Sequence, residues 1–257
     1  MKKLMAIFGV LLIVGMILSA VASYNMSKEY VLINQEIFQQ STASGKITRV
    51  FSSKHFNELQ GLADQVYYHV LYTGLSFFAL AFAFIGCAVY VKNKPMICGA
   101  ILIVSFLALV TGLVTPIFSV AFHKTFPVIG RIGLRAEFVG IVSAIGTWWS
   151  TGHYFVSLIV VVFSFTVPLA KTMAIGYVIA FPDKPSSARM LKIFEFIGGW
   201  SMLDVFIVAV TIVVVTINGK ESTHAEIQIG LYYFFAYVIL SMVSTKLFLK
   251  HLKPILL

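Results

Sequence analysis

The feature that most constrains this chain is a series of six long apolar runs that are nearly free of charged residues. They cover about residues 4–23, 66–91, 96–118, 154–181, 200–217 and 227–249. A helix needs about 20 such residues to cross the ~30 Å hydrocarbon core of a bilayer. Only 11% of the 257 residues are charged, whereas soluble domains carry about 25%. The sequence therefore predicts an all-α, polytopic helical membrane protein with about six transmembrane helices, and it excludes a water-soluble domain.

The distribution of basic residues predicts how the six spans are oriented. With a cytoplasmic N-terminus, the short inner segments are dense in lysine and arginine, whereas the long outer segments are sparse in them. This asymmetry is typical of cytoplasmic loops, and it predicts that both termini are cytoplasmic. The formal net charge of +9 then reflects topology, so we expect no nucleic-acid partner. The first run also resembles a signal peptide cleaved near Ala20–Ala22, but its length favours an uncleaved signal anchor.

Two outer segments are long enough to have structure of their own. Residues 24–65 are polar and mixed, and they are predicted to form a periplasmic loop with a short helix near residues 31–40. Residues 138–149 are apolar, too short to span, and end in Trp148 and Trp149. Tryptophan prefers the membrane–water interface, so segment 138–149 is predicted to be a helix in the outer leaflet. A packed loop helix without contact to lipid is the alternative.

Polar side chains occur inside three of the runs, where they are costly and usually functional. The fourth run contains Ser164, Pro168 and Lys171, whose offsets of four and seven place them on one helical face. Pro168 cannot donate to the carbonyl of Ser164, so a kink is expected there. Lys171 could instead extend to the inner headgroups, which is the structural alternative.

The fifth run opens with Trp200 and carries Asp204 about one turn inside. Since the fourth and fifth runs are antiparallel neighbours, Asp204 and Lys171 fall at similar depth, and we predict that they pair. Ser241 of the sixth run falls near the same depth. An ion pair that serves only packing is an equal alternative.

Other signals concern helix ends and missing motifs. Pro116 is predicted to end the third span, and Gly198 and Gly199 form either a hinge or a tight entry to the fifth. The sequence contains no phosphate-binding loop, no CxxC and no paired metal-ligand spacing. We therefore expect no cofactor, no metal and no enzymatic activity.

Several segments resemble the paraquat-inducible protein A family. The strongest is IGGWSMLDVF at residues 197–206, which is similar to the GRWSMLDVF motif of that family. Weaker matches are the Ser164…Pro168…Lys171 span, the Trp149-x-x-Gly152 before it, LVTP at residues 113–116 and LSM at residues 240–242. The likeness covers about residues 96–253. Typical members carry zinc ribbons and often two four-helix modules, whereas this chain has one module and no CxxC.

The resemblance implies a division of the chain and a function. Residues 96–253 would form the four-helix family core, and residues 1–95 an N-terminal two-span hairpin. The chain would be a bacterial inner-membrane subunit of intermembrane lipid transport, loading phospholipid toward a periplasmic MCE-domain partner. Its polar network would consist of Ser164, Lys171, Asp204 and Ser241. Separately, the absence of an ATPase motif leads to the hypothesis that a proton relay through Asp204 and Lys171 supplies the energy. A membrane scaffold that anchors a periplasmic partner or supports envelope stress resistance is the alternative.

Overall fold

The computed structural model describes residues 2–43, 49–91, 94–126, 130–181 and 223–251. These ranges contain seven α-helices, one π-helical turn and three β-strands. They are α1 (Lys2–Ala43), α2 (Arg49–Tyr90), α3 (Lys94–Val114), β1 (Phe118–Phe126), β2 (Gly130–Val139), α4 (Ile141–Ser150), α5 (Tyr154–Val161), the π-turn (Val162–Thr166), α6 (Val167–Ala180), β3 (Thr223–Ile227) and α7 (Ile229–His251).

Five helical segments in the described ranges are long and apolar enough to cross a membrane. They are Ile7–Ile37, Glu58–Tyr90, Pro95–Val114, Tyr154–Ile179 and Ile229–Leu247. Each overlaps a predicted span, so the prediction of an all-α polytopic membrane protein is confirmed. The remaining predicted span, residues 200–217, lies outside the described residues. The third span ends at Val114 rather than at residue 118, because the residue before Pro116 is disfavoured in helix.

The first two helices are far longer than a bilayer requires. Each has 42 residues, which corresponds to about 63 Å, twice the hydrocarbon thickness. Residues 24–43 continue α1, and residues 49–65 form the start of α2. The predicted loop with a short helix is therefore wrong: the structure has an antiparallel helical hairpin. The part that extends past the apolar run, residues 24–43 of α1 and 49–65 of α2, is about 30 Å long in α1 and about 26 Å in α2.

The packing between α1 and α2 explains why the polar residues remain helical. Buried apolar residues recur on α2 every three or four positions at Leu59, Ala63, Val66 and Val70, a spacing typical of a helix–helix seam. On α1 the buried positions are largely serines, and such small residues let two helix backbones approach closely. The two helices therefore stabilise each other above the apolar segment as well as within it.

A single hydrophobic cluster joins the hairpin to the rest of the described chain. Met16 of α1 and Phe77 of α2 belong to the same buried cluster as Leu109 of α3 and Phe234 of α7. The centre of this cluster is the α3–α7 pair, which packs most extensively after the hairpin itself. The hairpin thus shares its core with the C-terminal part of the chain, while the division at residue 95 stays a prediction.

Glycine makes the close approach of α3 and α7 possible. A Cβ atom at Gly112 would lie 2.8 Å from the backbone nitrogen of Phe234 and 3.2 Å from the carbonyl oxygen of Gly230. At Gly230 a Cβ atom would collide with the carbonyl oxygen of Pro116. Any side chain at these positions would therefore force the backbones apart.

A small antiparallel sheet, in the order β2–β1–β3, caps one end of the helices. β1 pairs with β2 from Phe118↔Val139 to Phe126↔Gly130 and with β3 from Phe118↔Ile227 to Phe122↔Thr223. The sequence analysis missed this sheet, and β3 comes almost 100 residues after β1. The strands follow α3 and precede α4 and α7. The sheet lies beside the hairpin extension, because β2 contacts α1. There the Tyr30 ring of α1 packs edge-on against Phe138 of β2, with centroids 6.0 Å apart.

Candidate intramembrane polar site

The fourth span is not a regular α-helix at the point where Pro168 was predicted to disturb it. The π-turn separates α5 from α6, and the backbone N–H of Val167 donates to the carbonyl of Val162, five residues back. Proline lacks the N–H that would bond the Ser164 carbonyl, and a wide turn is one way in which a helix accommodates such a defect. π-turns within α-helices occur frequently at functional sites.

Ser164, Pro168 and Lys171 all lie on the buried side of this span, as their spacing predicted. Ser164 is 3% exposed and Lys171 only 5%. A lysine that extended along the outside of its helix to reach the headgroups would be more exposed. Asp204 lies outside the described residues, so the predicted ion pair stays a prediction.

The buried face of α7 carries hydroxyl groups at helical spacing. Tyr237, Ser241 and Ser244 are all buried there. The Tyr237 hydroxyl lies near the side chains of Ser241 and of Thr172, the residue after Lys171. Thr172 in turn donates to the Pro168 carbonyl at 2.9 Å. The structure therefore joins the fourth and sixth spans next to Lys171 through a tyrosine.

Tyr237 and Thr172 were not identified from the sequence. Two signals could have pointed to them, because Tyr237 lies one helical turn before Ser241 and Thr172 lies one turn after Pro168. Neither signal says that the two side chains meet, since they come from different helices. Within the described residues, Ser164, Lys171 and Ser241 have no direct hydrogen bond to one another.

A second set of hydroxyl groups connects α7 to the hairpin, one turn from Tyr237. Tyr233 is hydrogen-bonded to Ser23 at 2.8 Å, and Ser23 donates to Thr73 at 2.9 Å. Thr73 donates onward to the His69 carbonyl at 2.9 Å, which completes a consistent chain of donors and acceptors. Ser19 donates to the Thr73 carbonyl at 2.6 Å. Buried polar groups stabilise helix contacts in membranes when they are satisfied in this way.

The predicted interfacial segment is helical over Ile141–Ser150, while Phe138 and Val139 belong to β2. Trp149 is exposed and packs edge-on against Tyr154, with ring centroids 5.1 Å apart, and Trp148 is partly buried. Gly152 between α4 and α5 has a φ of +84°, a conformation that favours glycine. The Trp-x-x-Gly pattern thus marks the turn into the fourth span. Its position in the outer leaflet stays a prediction.

Of the other residues that were predicted to have structural roles, the structure describes Pro116. Pro116 ends α3, and its carbonyl accepts the backbone N–H of Gly230 at 2.9 Å, so it also anchors the start of α7. Gly198, Gly199 and Trp200 lie outside the described residues.

Comparisons with known proteins identify relatives that match part of this chain. The chain is 32% identical over 114 residues to a "Probable intermembrane transport protein" of Haemophilus influenzae, a region that covers 42% of this chain and 27% of the relative. It is 35% identical over 106 residues to the intermembrane transport protein PqiA of Escherichia coli K12, covering 39% of this chain and 25% of that protein. The chain thus spans about a quarter of the length of these relatives. No solved structure matches it.

A family model gives the broadest match. The model of paraquat-inducible protein A matches residues 98–252, a range that begins within α3, ends with α7, and includes the span with the π-turn and the hydroxyl face of α7. This range is more than half of the chain. The chain therefore belongs to the paraquat-inducible protein A family.

Proposed function

We propose that this chain is an inner-membrane subunit of an intermembrane lipid transport system that moves or loads phospholipid toward a periplasmic MCE-type partner. Its family membership and the names of its relatives support a role in intermembrane transport. The observation that carries the proposal is the buried Lys171, which lies beside the π-turn and the Tyr237 hydroxyl cluster.

A buried lysine in a span needs an explanation, because an ionisable residue at the bilayer centre costs about 2.5–3.5 kcal/mol even on insertion scales. In this proposal Asp204 is its partner, and protons that move through this pair down the transmembrane gradient supply the energy. Protonation of Asp204 would release Lys171, and the two halves of the fourth span would then move about the π-turn. The Tyr237 hydroxyl would reorganise with them, since it lies near both Thr172 and Ser241.

The orientation in this proposal follows the basic residues of the sequence. Both termini and the α2–α3 connection are cytoplasmic. The three-stranded sheet and the hairpin extension are then periplasmic, where a partner protein would reach them. Trp149 and Tyr154 lie at the same end of the helices as the sheet, as expected of aromatic residues at an outer interface.

The test is phospholipid transfer from reconstituted vesicles with Lys171→Met and Asp204→Asn variants, measured with and without an imposed pH gradient. We expect both variants to lose transfer and its response to the gradient. The matched control is Lys246→Met, because Lys246 is an exposed lysine on α7. Undiminished transfer by correctly folded Lys171→Met and Asp204→Asn proteins would remove the charge pair from the mechanism.

A scaffold function is the second candidate, and the length of the hairpin favours it. An extension of ~30 Å beyond the apolar segments has no role in crossing a membrane. Removal of seven residues from each helix, 31–37 and 56–62, shortens the extension while nearly preserving the helical phase. If recovery of a periplasmic partner depends on these residues whereas the Lys171→Met variant behaves as wild type, the scaffold function is favoured over transport.

A further inference from the structure

Two buried tyrosines, one helical turn apart on α7, contact different parts of the chain. Tyr233 and Tyr237 are 0% and 2% exposed. Tyr233 contacts both helices of the hairpin, whereas Tyr237 lies near Thr172 of α6, the residue after Lys171. The family model begins at residue 98, so the hairpin lies outside the matched region. Tyr233 therefore links a helix of the family region to a part of this chain that the family model does not cover.

The surroundings of Tyr233 are built from α1 and α2 together. Its ring stacks on Phe78 of α2, with centroids 5.4 Å apart, and meets Phe77 edge-on at 5.0 Å. Its hydroxyl is hydrogen-bonded to Ser23 of α1 at 2.8 Å. Ser23 also donates to Thr73 of α2 at 2.9 Å. A displacement of α1 against α2 therefore acts directly on the position of the Tyr233 side chain.

The other contacts of α7 hold its first turn. The backbone N–H groups of Gln228 and Gly230 donate to the carbonyls of Ile117 and Pro116, both at 2.9 Å. Beyond this point α7 meets α3 at Gly112, which has no side chain that could hold α7 against rotation. The start of α7 is thus a pivot.

Tyr233 and Tyr237 rotate together, because they lie on one continuous helix. The surface of a helix lies about 5–6 Å from its axis, so a rotation of ~20° moves atoms there by about 2 Å. A change of this size separates a hydrogen bond from a contact that is too long to be one. The place that Tyr233 takes in the hairpin therefore decides whether the Tyr237 hydroxyl can reach Thr172.

We propose that Tyr233 is a positioning residue, through which the hairpin sets the rotation of α7 and thereby the distance between the Tyr237 hydroxyl and Thr172. The importance of this distance for transport rests on the function proposed above, whereas the link from the hairpin to α7 does not. The hairpin extension would then act as a lever. A protein that binds the extension and shifts α1 along α2 would move the groups beside Lys171 without entering the membrane.

Distances between two spin labels, measured by pulsed electron paramagnetic resonance, test this link in the resting protein. Labels at Met173→Cys of α6 and Ile239→Cys of α7 report how these helices face each other, because both side chains are exposed. Cys87 and Cys98 are replaced by serine, so that only the two introduced thiols are labelled.

Ser23→Ala and Tyr233→Phe each remove one partner of the bond between α1 and α7. We expect either change to shift or broaden the label distance by about 2 Å, the displacement that a ~20° rotation produces. The double variant should show no larger change than either single variant, because both substitutions remove the same interaction. An unchanged distance in both single variants would overturn the proposal.

The matched control is Ser19→Ala. Ser19 donates to the Thr73 carbonyl at 2.6 Å within the hairpin, so this change removes a hairpin bond that does not involve α7. The label distance should stay as in the wild type, and an equal shift in Ser19→Ala would overturn the positioning role, since general loosening of the hairpin would explain both.

Phospholipid transfer by the same variants separates this inference from the proposed function. Transfer should fall in Ser23→Ala and be retained in Ser19→Ala. Wild-type transfer by a variant whose label distance has shifted would show that Tyr233 does not position groups that transport requires. If the wild type transfers no phospholipid, the proposed function fails, whereas the label distances still decide whether the hairpin sets the rotation of α7.

Discussion

Replacing Gly112 with alanine tests the close contact between α3 and α7. The new methyl carbon would lie 2.8 Å from the backbone nitrogen of Phe234 and 3.1 Å from its Cα. Both atoms belong to the α7 backbone, so no change of side-chain rotamer can relieve the contact. α3 and α7 must therefore separate by several tenths of an ångström, and the apolar contacts around Leu109 and Phe234 loosen with them.

The expected magnitude combines two effects of opposite sign. Alanine is favoured over glycine in a helix by about 0.8–1.0 kcal/mol. Overpacking of a well-packed core costs about 1–3 kcal/mol. We therefore expect Gly112→Ala to destabilise the protein by about 1 kcal/mol. In the control Gly86→Ala, a Cβ atom meets nothing within 4 Å, so only the favourable effect remains.

The buried thiol of Cys98 can be used to measure when α3 and α7 separate. It is 2% exposed and lies on α3 against Ser244 of α7, with its Sγ 3.8 Å from the Ser244 hydroxyl. In a Cys87→Ser background, a thiol-reactive fluorophore reports the temperature at which α3 and α7 separate in detergent. This temperature should fall for Gly112→Ala and rise for Gly86→Ala. The reasoning is refuted if Gly112→Ala is as stable as Gly86→Ala, because the close backbone approach would then not limit packing.

Three further substitutions test other parts of the structure. Tyr233→Phe removes the hydroxyl bonded to Ser23 and should destabilise the folded protein by about 0.6–1.7 kcal/mol in the same thermal assay; no change would mean that the bond adds nothing. Gly152→Ala forces alanine into a left-handed conformation and should cost about 1–2 kcal/mol, whereas Gly146→Ala in the exposed face of α4 should be neutral or stabilising. Pro168→Ala restores a backbone N–H, so we expect a regular α-helix by cryo-electron microscopy of the variant and loss of phospholipid transfer; wild-type transfer by a variant without the π-turn would contradict a role for that turn.

Much of the site follows from local pattern in the sequence. Ser164, Pro168 and Lys171 share one face because their spacing matches the period of a helix, and the structure confirms that all three are buried. The defect in the fourth span follows from the missing N–H of Pro168. Its form as a π-turn does not, because several local rearrangements satisfy a freed carbonyl equally well. The contact between Thr172 and Tyr237 depends on how two distant spans are placed side by side.

The hairpin shows the same limit on a larger scale. The 3–4 spacing of Leu59, Ala63, Val66 and Val70 is visible in the sequence, yet the buried positions of α1 are largely serines, which do not form an apolar pattern. Only when the two helices are paired do the small serine side chains become an advantage. A prediction from either segment alone therefore favours a polar loop.

The sequence by itself determined which segments cross the membrane, where Pro116 ends the third span and to which family the chain is similar. These properties depend on residues close together in the chain: on the length of an apolar run, on one missing N–H and on a continuous motif. The tertiary structure decided the sheet, the shared core of the hairpin and the close approach of α3 and α7. Each of these depends on residues far apart in sequence, such as Phe118 and Ile227, whose contact becomes favourable only after the intervening chain has folded.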